Sequence, residues 1–205
     1  MYLPKLFENP ERAQLVELMR AHPFATVLAL RDEAPEISHL PVLVARDSPL
    51  TLHAHVARAN PLGKLVAEGA RLTVIFHGPH CYVSPRLYKN ADNVPTWNYA
   101  VVHASGRARV LPPDAALAHL TALAARFESN VAEPWAPAHA GDLAQELVPA
   151  LVAFELEVEQ LSGKFKLSQN RKPEDWQGVV DAFERSPNAD ERAVLTLMKR
   201  QGPPR

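Results

Sequence analysis

Apolar residues along this chain recur with two periods, and the alternation between them predicts its elements. Residues 24–31 form a short run rich in valine and leucine, the composition of a buried strand. A second strand is predicted over 36–46, where Pro41 suits a sheet edge or a bulge. Further strands are predicted over 50–55, 72–76 and 81–84, with Gly78-Pro79 read as the turn between the last two. Residues 96–111 read as one long strand, bent at Gly106. Over 151–160, Val152, Phe154, Leu156 and Val158 alternate with Leu151, Ala153, Glu155 and Glu157, the period of a half-buried strand.

Helical spacing fills the intervals. Asn9-Pro10 before Glu11 has the form of a cap followed by proline at the first helical position, and predicts a helix to about Arg20. Leu15, Leu18 and Met19 share one face of it. Asn60-Pro61 repeats the signature and opens a short helix that ends near Gly69. Residues 113 to about 130 are strongly helical, with Leu117, Leu120, Ala124 and Phe127 on a common side. A brief helix over 142–147 and two more over 173–185 and 190–200 complete the pattern. Many short strands interrupted by a few helices predict a mainly β fold, a barrel with peripheral helices, and not the alternation of a doubly wound sheet.

Composition narrows the class without changing that picture. The 205 residues are 47% hydrophobic and 22% charged, which is ordinary globular usage with enough apolar material for a core. The formal net charge of -1 supplies no global field for nucleic acid. Cys81 is the single cysteine, so no intrachain disulfide forms. With no signal-like start and no apolar stretch approaching ~20 residues, a cytoplasmic protein without a membrane span is expected.

Nine histidines are a high count for this length. His53 and His55, two apart on a predicted strand, project to one face. A metal site there would need further ligands, yet no carboxylate follows before Glu68 and Arg58 lies close by, so no metal is expected. The helix start at Asn60, flanked by Arg58 and Lys64, has the makings of a phosphate cradle; the alternative is a capped surface helix with two solvated cations. Thr96-Trp97-Asn98-Tyr99 combines aromatic faces with amide and hydroxyl groups, suited to a planar ligand or simply to core packing. Residues 163–171, which include Lys166, concentrate cations and amides and read either as the end of an anion site or as an exposed basic loop. No glycine-rich dinucleotide fingerprint, P-loop or nucleophile elbow is present.

Several long motifs occur in order: His39-Leu40-Pro41, His55-Val56-Ala57-Arg58-Ala59-Asn60-Pro61, residues 75–85, residues 94–103, and residues 164–171. Together they resemble the PaiB family of FMN-binding negative transcriptional regulators, within the pyridoxamine-phosphate-oxidase-like split barrels. The resemblance implies an FMN-binding split β-barrel over 1–172, a helical appendage over 173–205 packed on it, and a homodimer with FMN at the subunit interface. It implies flavin contacts from His39, His53, His55, Arg58, Asn60, Lys64, Thr96, Trp97, Asn98 and Lys166. Two departures remove aromatic surface: Leu87 stands before Tyr88 where a tryptophan is usual, and Leu62-Gly63 replaces an aromatic position. The implied role is negative regulation of transcription. Alternatives are a flavin-dependent oxidoreductase acting on a small molecule, with no catalytic residue assignable, or a haem-binding or haem-degrading split barrel. Direct DNA contact finds no support in the charge; the acidic Asp190-Glu191 pair opens the last helix.

Overall fold

The computed structural model describes every residue except Pro10, Asp32, Glu33, Ala91 and Arg205. In chain order the elements are α1 (Arg12–Ala21), β1 (Phe24–Arg31), β2 (Ala34–Pro41), β3 (Leu43–Asp47), β4 (Leu50–Ala57), α2 (Pro61–Ala67), β5 (Arg71–Val83) and β6 (Thr96–Val110). They continue with α3 (Pro113–Phe127), α4 (Leu143–Leu147), β7 (Leu151–Glu157), β8 (Gln160–Lys166), α5 (Pro173–Glu184) and α6 (Ala189–Gln201). The predicted proline at the start of the first helix lies outside the described residues; Asn9 Oδ1 accepts the Glu11 N–H at 2.9 Å, as a cap does.

The strands form an 8-stranded sheet in the order β2-β1-β5-β6-β7-β4-β3, with β8 added on β6. β2 and β3 stand at opposite ends of that order, yet Val42 alone separates them in sequence. Six inter-strand gaps of ~4.8 Å would put the ends of a flat sheet roughly 29 Å apart, whereas one residue reaches ~3.5 Å. The sheet must therefore curl until its ends meet, which is barrel closure. Val42 makes the crossing buried, with its N–H donating to Pro23 O at 2.8 Å. The single strand expected over 36–46 is thus two, and Pro41 sits at the end of an edge strand, where its missing N–H breaks no ladder.

Two other expectations need correction. β5 runs unbroken through Gly78-Pro79 where a turn was expected. A Cβ on Gly78 would lie 2.8 Å from Leu18 Cδ1 and 3.0 Å from Ala100 O, so glycine here permits close packing and makes no turn. Pairing of β5 with β1 runs from Leu72 to Ile75, so Pro79 interrupts no bond to β1. The basic stretch after Gln160 is a strand, β8, in which Gly163 and Phe165 are buried and alternate with Lys164 and Lys166. Gly106 of β6 sits where a Cβ would meet Glu157 O at 2.0 Å, so only a hydrogen fits between the two backbones.

Contacts divide the chain into two compact units. One contains Met1–Ala21, His77–His103 and Ser162–Arg205, with Met19, Val83, Val102, Val179, Phe183, Val194 and Met198 among its buried residues. The other contains His22–Phe76 and Ala104–Leu161, with Val27, Leu52, Leu62, Leu72, Phe76, Phe154 and Leu156 in its core. Among the described residues no helix is long and apolar enough to cross a membrane.

Candidate functional site

The second unit carries a cavity of about 490 Å³ between β2, β4 and the start of α2, lined by Ser38, His39, Pro41, His55 and Asn60 among others. β2 presents His39, whose Nδ1 is 3.1 Å from Thr26 Oγ1 on β1. Asn60 is fixed at both ends of its amide: Oδ1 accepts the Leu62 N–H at 2.9 Å and Nδ2 donates to Ser38 Oγ at 3.1 Å. That amide ties α2 to β2 and holds both elements at the cavity wall.

The helix start differs from a ready phosphate cradle. Pro61 has no N–H, the Leu62 N–H is taken by the Asn60 side chain, and the Gly63 N–H donates to Asn60 O at 2.9 Å. Arg58 donates from Nε to Pro149 O and from Nη2 to Leu151 O at 2.8 Å. It lines a neighbouring cavity of about 560 Å³ with Leu117, Val148 and Leu151, and Leu151 lines both cavities. Lys64 is exposed and 4.0 Å from Glu68 Oε1. His39, His55 and Asn60 therefore share one cavity, Arg58 borders it across Leu151, and Lys64 lies outside it.

Behind His55 lies a residue that the sequence did not single out. His119 of α3 is 2% exposed, and its Nε2 is 3.1 Å from His55 Nδ1. Its ring packs edge-on against His55 at 5.3 Å and against His53 at 6.0 Å. Burial, with the nearness of His55 and His53, pushes the pKa of His119 down to about 4. Burial likewise lowers the pKa of His55. His53 is lowered by burial and by Arg46, against the raising effect of Glu155, whose Oε2 lies 3.8 Å from its Nε2. Despite this density, no group of three or more His, Cys, Asp or Glu among the described residues is arranged to hold a metal ion. The expected apolar stripe of this helix is also rotated: Ala116 and His119 are its buried residues and Phe127 is 53% exposed. The small Ala116 side chain lets the helix approach, and His55 gives a hydrogen-bond partner to Nε2 of the histidine that follows it on that face.

In the first unit, Thr96, Trp97, Asn98 and Lys166 come together. Lys166 Nζ donates to Thr96 Oγ1 and, at 3.1 Å, to Trp97 O. Burial lowers its pKa, and the nearby Arg171 and Lys164 add to the effect. Asn98 is completely buried and exchanges hydrogen bonds with Ser168, donating at 2.9 Å and accepting at 3.1 Å. Ser168 takes the left-handed φ of 67° that this pairing secures. Trp97 is half-exposed beside His80 and Tyr82, over a cavity of about 420 Å³ that Trp97, His77, His80 and Tyr99 line.

Comparison with known proteins identifies the family and the fold. Residues 1–160 match the family model described as "Putative FMN-binding domain". The chain is 32% identical over 202 residues to "Protease synthase and sporulation protein PAI 2" of Bacillus subtilis, covering 97% of each. It is 25% identical over 248 residues to the uncharacterized protein AN0679 of Emericella nidulans, covering 98% of each. Among solved structures it is similar to an FAD- and haem-binding protein from Mycobacterium smegmatis, with a TM-score of 0.59, 22% identity, and coverage of 78% of this chain and 73% of that one. It is also similar to the flavocytochrome Anf3 of Azotobacter vinelandii, with a TM-score of 0.54, 16% identity, and coverage of 78% and 69%. At these identities the structures establish the split-barrel fold, and the sequence matches establish the family. This chain belongs to the PaiB-like FMN-binding family of split β-barrels, and FMN is its cofactor.

Proposed function

We propose that this chain is a cytoplasmic negative transcriptional regulator of the PaiB kind, working as a homodimer with FMN at the subunit interface. The observation that carries the flavin site is the cavity shared by His39, His55 and Asn60. Its volume lies in the range of about 300–1,000 Å³ usual for small-molecule sites. Two imidazoles, a hydroxyl and an amide provide the donors and acceptors that a flavin edge or a phosphate oxygen requires. Thr96, Trp97, Asn98 and Lys166 form the second part of the proposed set, with half-exposed Trp97 and Tyr82 as apolar surface for a partner copy to cover. Arg58, His53 and Lys64 complete the set, Arg58 by fixing the segment that carries Leu151.

When bound, FMN supplies hydride or one-electron chemistry. The chain's own contribution is to hold and orient it. The regulatory role rests on the family resemblance and on the relative in Bacillus subtilis named "Protease synthase and sporulation protein PAI 2".

Titration of flavin-free protein with FMN, followed by quenching of flavin fluorescence, tests the site. Saturable binding of one FMN per chain is expected. His55→Ala and Asn60→Ala should each weaken it roughly tenfold, about 1.4 kcal/mol and comparable to one hydrogen bond. Protein that binds no FMN, or both variants binding as tightly as the wild type, would remove the cavity from the proposal. Size-exclusion with light scattering should report twice the chain mass, and a monomer would remove the dimer.

A further inference from the structure

We propose that His119 is a positioning residue for the cofactor site: it donates its Nε2 proton to His55 Nδ1, which fixes His55 with its own proton on Nε2, as a hydrogen-bond donor to the ligand. This rests on the reading that the cavity lined by His55 takes the flavin.

The contact between Nε2 of His119 and Nδ1 of His55, 3.1 Å, joins two imidazole nitrogens, so one must carry the proton and the other must not. Two arrangements are available to a pair of neutral rings. In the first, both rings are protonated at Nε2; His119 donates, and its buried Nδ1 is a bare lone pair. In the second, both are protonated at Nδ1; His55 donates, and the proton on His119 Nδ1 points into the protein.

His119 Nδ1 is fully buried and has no hydrogen-bond partner among the described residues. The second arrangement would bury an unsatisfied N–H, whereas the first buries only an unsatisfied acceptor, the commoner of the two in folded proteins. The Nε2–H form is also the intrinsically preferred tautomer of neutral histidine. Both considerations select the first arrangement. They need His119 to be neutral, and its depressed pKa keeps it so at neutral pH.

The consequence appears on the opposite edge of the His55 ring. Nε2 of His55 has no hydrogen-bond partner among the described residues, and His55 lines the cavity. A ring free to rotate would offer the cavity either nitrogen, as donor or acceptor. Held by His119, it offers one N–H of fixed direction, complementary to a carbonyl, ring-nitrogen or phosphate oxygen acceptor. The same arrangement of an outer residue setting the tautomer of an inner histidine recurs around metal-bound imidazoles.

Long-range nitrogen–proton NMR on flavin-free protein labelled at histidine nitrogens reads the tautomers directly, without reference to FMN. We expect His55 and His119 both as Nε2–H forms at pH 7. In His119→Leu, His55 should change to a mixture of tautomers and FMN affinity should fall roughly five- to tenfold, the range set by one hydrogen bond. His119→Gln, whose side-chain amide can donate in place of Nε2, should restore both the His55 signature and most of the affinity. An Nδ1–H form of His55 in the wild type overturns the proposal and leaves the cavity reading standing. So does a His119→Leu variant that binds FMN normally while His55→Ala binds it weakly. If neither His55→Ala nor His119→Leu alters FMN binding, the cavity reading falls, and the proposal falls with it. Thermal unfolding of each variant separates these outcomes from loss of fold.

Discussion

A histidine that stays neutral in the folded state makes stability depend on pH. His119 titrates at about 4 in the fold against an ordinary value of 6.5. Between those two values the unfolded chain binds a proton that the native protein does not, so stability rises with pH across that window. The contribution is fully present above pH 6.5, declines as pH falls toward 4, and changes no further below it. A shift of this size corresponds to up to about 3 kcal/mol. Urea unfolding between pH 4 and 7 should therefore show a shallower slope in His119→Leu than in the wild type, and an unchanged slope would mean that other groups carry the effect. Asp175 works from the acid side. Burial would raise its pKa, but hydrogen bonds from Asn90, Lys89 and Asn93 outweigh that and hold it below 3.8. Its contribution is present above that ordinary value and disappears as pH falls through the lower folded one.

At the level of elements, the tightest constraint is at Gly106. Its missing side chain lets β6 pass within contact of the Glu157 carbonyl, where a methyl group would meet the oxygen at 2.0 Å. Gly106→Ala should destabilise the protein by on the order of 3 kcal/mol or more, through displacement of backbone with no flexible side chain to yield. Equilibrium denaturation checks this; a change under 1 kcal/mol would mean that β7 moves aside easily. Gly106 stood out in the sequence because a lone glycine in a strand pattern is a local signal; it was read as a bend, and what the structure shows there is the close approach of the Glu157 carbonyl. The cap at Asn60 was visible for the same reason, since capping is local chemistry and needs only adjacent residues. What escaped was non-local. Leu18 and Ala100 decide that Gly78 continues a strand, and neither is near it in sequence. β8 was obscured by its lysines, although its alternation was present. His119 lies 64 residues from His55, and only the pairing of α3 with the barrel reveals why a histidine occupies a helix's inner face.

For the molecule as a whole, the charge distribution gives no support to direct DNA contact as the route of the proposed regulation. The net charge is -1, and the first turns of α5 and α6 carry Glu174, Asp175, Asp190 and Glu191. Those carboxylates favour the positive ends of their own helices, where DNA phosphates would otherwise be received. Gel-shift titration of the FMN-loaded protein with promoter DNA should show no retardation at physiological salt. A salt-sensitive shift would instead assign a DNA-binding face to the protein.

The division of the chain into interleaved segments also sets an order of events during synthesis. The unit ending at Leu161 has all its residues in hand before the last stretch emerges from the ribosome. The other unit draws on three separated segments, so its earliest helix cannot complete its packing until the segment from Ser162 onward has been made. Until then Leu15, which packs closely on Gly163 in the finished fold, lacks that cover.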